Sequence, residues 1–173
     1  MVYHIIDEPL YKGDQILHII KPEREGDRGL SALRNYLEEN REAIEEMILT
    51  SGAVLFRGFD INDKEEFLQV KNLFAGESAF DYVDGNSPRK KLAADVYTST
   101  EYPKEYRITL HNELSYSRKW PQRIYFFCKT PAGEGGETPI ADCRQILKII
   151  DPQVVQKFED HGVKYTRYLS GTK

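Results

Sequence analysis

The sequence predicts an α+β domain, and three observations carry that prediction. Residues 31–47 and 62–74 place apolar side chains at helical spacing, with charged residues opposite. Residues 53–59 (AVLFRGF), 108–110 and 124–128 (IYFFC) are short apolar or alternating runs that suit strands. Turn-forming clusters at 84–88 and 131–138 punctuate the chain between them. A single domain is expected over residues 1–173. That length buries one sizeable core, and no repeat or low-complexity tract divides it.

Composition narrows the function classes. With 40% hydrophobic and 30% charged residues the chain is globular in type, and no run resembles a membrane span or a secretory leader. A net charge of −4 offers no electrostatic footprint for nucleic acid or an anionic membrane. Neither partner is expected. Cys128 and Cys143 read as reduced thiols, which points to the cytoplasm.

Taken in order, residues 1–20 hold two short apolar runs, HIID and ILHII, expected as one or two edge strands. His4 and His18 within them read as strand residues rather than ligands. The segment KPEREGDRG is a charged surface loop. Leu33, Leu37, Ile44 and Ile48 then share one helical face, Asn40 marks a break into two helices, and Gly52 ends the run. In the following strand Arg57 is either solvent-facing or an ion-pair partner. Asn62 and Glu65 are spaced as a capping box for a helix striped by Phe67, Val70 and Phe74.

Residues 84–88 are dense turn chemistry, followed by Arg89, Lys90 and Lys91. Such a cluster is either a solvated loop or a site where Arg89 grips a substrate carboxylate, since a guanidinium matches a carboxylate in shape and charge. Residues 97–100 (YTST) form a short strand. Beyond the central segment, Asp142 caps a helix that buries Ile146, Leu147 and Ile150. Asp151 and Pro152 start another, packed through Val154, Val155 and Phe158 and ended by His161 and Gly162. Residues 163–168 alternate as a final strand.

The chemistry concentrates in residues 107–142. On a strand His111 and Glu113 project from the same face while Asn112 points away. An imidazole beside a carboxylate is two thirds of the facial triad that holds non-haem Fe(II); the plainer reading is a surface pair. Downstream, Gly135 and Gly136 permit close backbone approach, and the Thr138 hydroxyl is placed to donate to an anion. The plainer reading there is a glycine-rich hairpin loop.

The order HNELSY, strand, PAGEGGETPIAD resembles the TauD/TfdA family of Fe(II)/2-oxoglutarate dioxygenases, in its clavaminate synthase and syringomycin-type hydroxylase branch with a Glu ligand. GAVLFRGFDI, GNSPR, VYTSTEYP and HGVKYTRYL extend the likeness over most of the chain. The resemblance implies a double-stranded β-helix (a jelly roll, cupin-like) with flanking helices. It implies Fe(II) on His111 and Glu113, and 2-oxoglutarate contacted by Thr138. It also implies hydroxylation or desaturation of a small amino-acid-type substrate, free or carrier-tethered. The family's second histidine and its 2-oxoglutarate arginine lie on later strands, and nothing here matches them. The chain is therefore expected to be the N-terminal portion of such a domain, incomplete at its C-terminus. Two functional classes follow: a dioxygenase, or an interaction module that self-associates or pairs with a complementary C-terminal chain.

Overall fold

The computed structural model describes residues 5–9, 17–75, 89–93, 96–99, 103, 105 and 107–166. His4, the turn at 84–88, Thr100 and the end of the 163–168 run lie outside them. Strands β1 (Ile5–Pro9), β2 (His18–Pro22) and β3 (Val54–Phe56) form one sheet in the order β1-β2-β3. β2 pairs antiparallel with β1 and parallel with β3, in the register His18 to Val54. The second apolar run is thus the central strand and not an edge. The parallel pairing needs a crossover, which two helices supply.

Those helices are α1 (Leu30–Glu39) and α2 (Arg41–Ser51). The break falls at Asn40, whose backbone N–H and side-chain amide both donate to the Tyr36 carbonyl, at 3.0 and 2.9 Å. Gly52 closes α2 in the left-handed conformation, φ 87°. Helix α3 (Lys64–Ala75) starts one residue later than the spacing of Asn62 and Glu65 implies. Asp63 Oδ1 accepts from the Glu66 backbone at 2.8 Å, and Glu66 reaches back to the Asn62 N–H at 2.7 Å. Asp63 thus caps the helix, and Glu66 closes on the N–H of the residue before the cap.

The core lies between this sheet and its helices. Ile20, Leu33, Leu37 and Ile44 are fully buried, with Ile48, Val54, Phe56, Val70 and Phe74 packed around them. Phe67 takes a different neighbour, stacking on Phe127 with ring centroids 5.3 Å apart. Arg57 is solvent-facing.

Residues 107–166 depart from expectation. Helices α4 (Cys143–Ile149) and α5 (Pro152–His161) form with the expected caps, Asp142 accepting from the Arg144 N–H and Asp151 from the Gln153 N–H. Their apolar faces are not buried: Leu147, Val154 and Phe158 are exposed, and Ile149 is 84% exposed. Residues 108–110, 124–128 and 163–166 have no ladder partner among the described residues and are not strands. A strand exists only where a neighbour takes its N–H and C=O groups, whatever its propensity. The described residues accordingly show a mixed α and β architecture; the jelly roll is not visible in them. Among them no helix is long and apolar enough to cross a membrane.

Candidate metal centre

His111 and Glu113 are brought together without a strand to hold them. The imidazole Nε2 lies 4.0 Å from the Glu113 Oε2. On the other side of the ring, Nδ1 is 2.8 Å from the Thr109 carbonyl oxygen. A carbonyl only accepts, so Nδ1 carries a proton, and it is Nε2 that is left facing the carboxylate and able to donate its lone pair to a metal. This is the tautomer-fixing arrangement found behind metal-bound histidines.

The backbone turns sharply just after Glu113. Leu114 has φ 53°, a left-handed conformation unusual for a residue with a side chain, yet that side chain is buried. Ser117 N–H closes the turn on the Leu114 carbonyl at 2.9 Å. Burial of Leu114 holds the strained turn in the backbone next to Glu113. Glu113 is 17% exposed while His111 is 55% exposed, so the pair has a sheltered and an open side. Asn112 leaves in another direction, accepting from the Cys143 thiol at 3.3 Å.

Arg89 faces the same carboxylate. Its Nη2 is 3.4 Å from Oε1 and 3.5 Å from Oε2 of Glu113. The segment that presents it is clamped: Lys90 N–H donates to the Thr98 hydroxyl and Thr98 N–H to the Lys90 carbonyl, both at 2.9 Å. Lys64 on α3 donates to the Leu92 carbonyl at 3.2 Å, tying the clamp to the helix layer. The carboxylate that Arg89 meets in the structure is the protein's own.

A depression of about 440 Å³ opens beside Glu113, walled by Asn112, Trp120, Arg123 and Ile124. Arg123 anchors this wall to α2 through a two-pronged ion pair with Glu45, Nη1 to Oε1 at 2.9 Å and Nη2 to Oε2. The guanidinium holds the Glu45 carboxyl below the usual carboxylate range by direct hydrogen bonding, and Glu45 raises Arg123 in return. Sequence reading missed this anchor because the partners are 78 residues apart and no spacing links them.

Thr138 is exposed, and among the described residues no hydrogen bond joins it to His111 or Glu113. The glycines before it do what their chemistry allows. Gly135 and Gly136 have φ 70° and 81°, and a Cβ on Gly136 would sit 2.8 Å from the Ala132 Cβ.

An imidazole nitrogen and a carboxylate oxygen are donors suited to a divalent transition metal. Two bonds of about 2.1 Å meeting at a right angle set their donor atoms about 3 Å apart, so Nε2 and Oε2, at 4.0 Å, would close by about 1 Å to share one ion. In donor type the residues present fit two positions of an iron centre. Among the described residues no group of three His, Cys, Asp or Glu assembles around one point.

Comparison with known proteins identifies the family. Residues 14–173 match the model of the family described as taurine catabolism dioxygenase TauD, TfdA family. The chain is 41% identical over 128 residues to the dapdiamide synthesis protein DdaC of Enterobacter agglomerans, an alignment covering 74% of this chain and 39% of that protein. It is 34% identical over 136 residues to a clavaminate synthase-like protein of Arabidopsis thaliana, covering 77% of this chain and 41% of the relative. The chain thus spans about two fifths of the length of these curated relatives. With the family model matched over residues 14–173, the protein belongs to the TauD/TfdA dioxygenase family.

Proposed function

We propose that this chain contributes the iron-binding front portion of an Fe(II)/2-oxoglutarate-dependent dioxygenase. Its substrate is a small amino-acid-type molecule, free or carrier-tethered, that is hydroxylated or desaturated. The observation that carries the reading is the His111–Glu113 pair, with Nδ1 tied to Thr109 and Nε2 turned to the carboxylate. The family and its dapdiamide-synthesis relative support the reaction class and the kind of substrate.

His111 and Glu113 would hold the metal, which supplies oxygen activation driven by 2-oxoglutarate oxidation. The remaining work belongs to the chain. The Thr109 carbonyl keeps the His111 proton on Nδ1, so Nε2 stays a donor. The buried Leu114 turn holds the backbone beside Glu113. Thr138 would donate its hydroxyl to a 2-oxoglutarate carboxylate. The Arg89 guanidinium matches a carboxylate in shape and charge and would meet that of the substrate. The exposed free thiols Cys128 and Cys143 favour a reducing compartment such as the cytoplasm.

Exposed apolar faces on α4 and α5 favour a second reading, in which a second copy or a complementary C-terminal chain covers them and completes the centre. The test titrates the chain with Co(II) as a spectroscopic stand-in for Fe(II), then supplies Fe(II), ascorbate and 2-oxoglutarate and follows succinate and molar mass. Loss of Co(II) binding in both His111→Ala and Glu113→Ala is expected, with succinate formed only when a complementary chain is present. Metal binding that ignores both substitutions would end the reading.

A further inference from the structure

We infer that Arg89 is a counter-charge for the Glu113 carboxylate, pairing with it in the metal-free protein and competing with the metal for the same two oxygens. This rests on the reading of His111 and Glu113 as metal donors. Three observations carry it. First, one guanidinium nitrogen faces both carboxylate oxygens, at 3.4 and 3.5 Å. Second, both side chains are less than a fifth exposed, so water screens the pair weakly. Third, Arg89 arrives on a segment clamped at Lys90 and Thr98 and fastened to α3, so its approach is built in.

The separations decide what kind of contact this is. At 3.4–3.5 Å it is longer than a good charge-assisted hydrogen bond, so attraction between charges holds it more than directed geometry does. A sheltered carboxylate without a metal needs a counter-charge, and Arg89 supplies one. A divalent cation entering from the open His111 side brings twice that charge, but must bind against the field of the guanidinium. Removing the guanidinium has two consequences of opposite sign. It deletes a competing positive charge, which strengthens metal binding, and it deletes a restraint on Glu113, which weakens it. The first wins here, because a contact of 3.4–3.5 Å restrains Glu113 only loosely while the full charge of the guanidinium still opposes the cation.

The experiment titrates Co(II) into the chain and into Arg89→Gln, Arg89→Lys and His111→Ala, by calorimetry and by fluorescence of Trp120, the sole tryptophan, in the wall beside Glu113. Arg89→Gln is expected to bind about tenfold tighter than wild type, the order of a charge contact in a partly screened site. Arg89→Lys keeps the charge and is expected within about twofold of wild type. A residue that merely supports the fold would weaken binding when replaced, so tighter binding is the discriminating sign. If wild type binds, His111→Ala does not, and Arg89→Gln is equal or weaker, the metal centre stands and this inference falls. If neither wild type nor Arg89→Gln binds Co(II), the centre itself fails and takes the inference with it.

Discussion

Residues 17–75 and residues 107–166 both carry apolar side chains at helical spacing, and they end in opposite conditions. Leu33, Leu37 and Ile44 are buried against β2 and β3, whereas Leu147, Val154 and Phe158 on α4 and α5 stand exposed. The first region finds both sides of its core within a short stretch of sequence, sheet on one side and helices on the other. The second carries the candidate metal pair but is held by separate contacts: Arg123 to Glu45, Phe127 to Phe67, Arg144 to the Leu49 carbonyl, Tyr116 against Tyr165. An amphipathic pattern states which face must be covered; it does not supply the cover.

The sharpest way to break this comparison is to truncate one apolar residue in each region. Ile20→Ala removes a fully buried side chain and is expected to lower stability by about 2–5 kcal/mol. Leu147→Ala is expected to change it by less than about 0.5 kcal/mol. Urea unfolding of both variants checks this, and equal losses would mean that α4 is packed in solution.

Next in size is the anchor between the regions. Arg123→Ala leaves the Glu45 carboxylate without its guanidinium and is expected to cost about 1.5–3 kcal/mol, with faster amide exchange across residues 107–128. The pH dependence follows from the lowered Glu45 pKa. A carboxyl whose folded value is depressed contributes stability above its ordinary value and loses it as pH falls through the folded one. The gap between wild type and Arg123→Ala is therefore expected to be full at neutral pH and to close below the usual carboxylate range. A gap constant down to pH 3 would show that the anchor works by packing rather than by charge.

Smaller again, Gly136→Ala adds a Cβ at 2.8 Å from Ala132 where φ is 81°, at an expected cost of about 1 kcal/mol. Gly133→Ala, with nothing near its Cβ, serves as the control. Smallest for the fold is Thr138→Val, expected to leave stability within about 0.5 kcal/mol because the side chain is exposed. Its effect belongs to the ligand: calorimetry with metal-loaded protein should show 2-oxoglutarate bound about tenfold more weakly, as when one hydrogen bond to a charged group is lost. Unchanged affinity would remove Thr138 from the site.

Much of the local structure was legible in the residues themselves. The Asn40 break, the Gly52 stop, the Asp142 and Asp151 caps and the Leu33–Leu37–Ile44 face depend on neighbours a few positions away, and sequence spacing encodes those directly. The capping box slipped by one residue because Asn62 and Asp63 are both competent acceptors, and only local geometry chooses between them. The likeness of HNELSY and GGETPIAD to a dioxygenase family was legible too, and the family match bears it out.

What sequence alone determined was therefore short-range: caps, breaks, apolar faces, and the juxtaposition of His111 with Glu113 two residues on. Tertiary structure decided the rest. It made β2 the central strand, left 108–110 and 124–128 without ladder partners among the described residues, joined Arg123 to Glu45, and turned Arg89 onto the protein's own carboxylate. The physical reason is common to all four. Strand pairing, ion pairing and burial each need a second group brought from far along the chain, and neither propensity nor spacing records which group arrives.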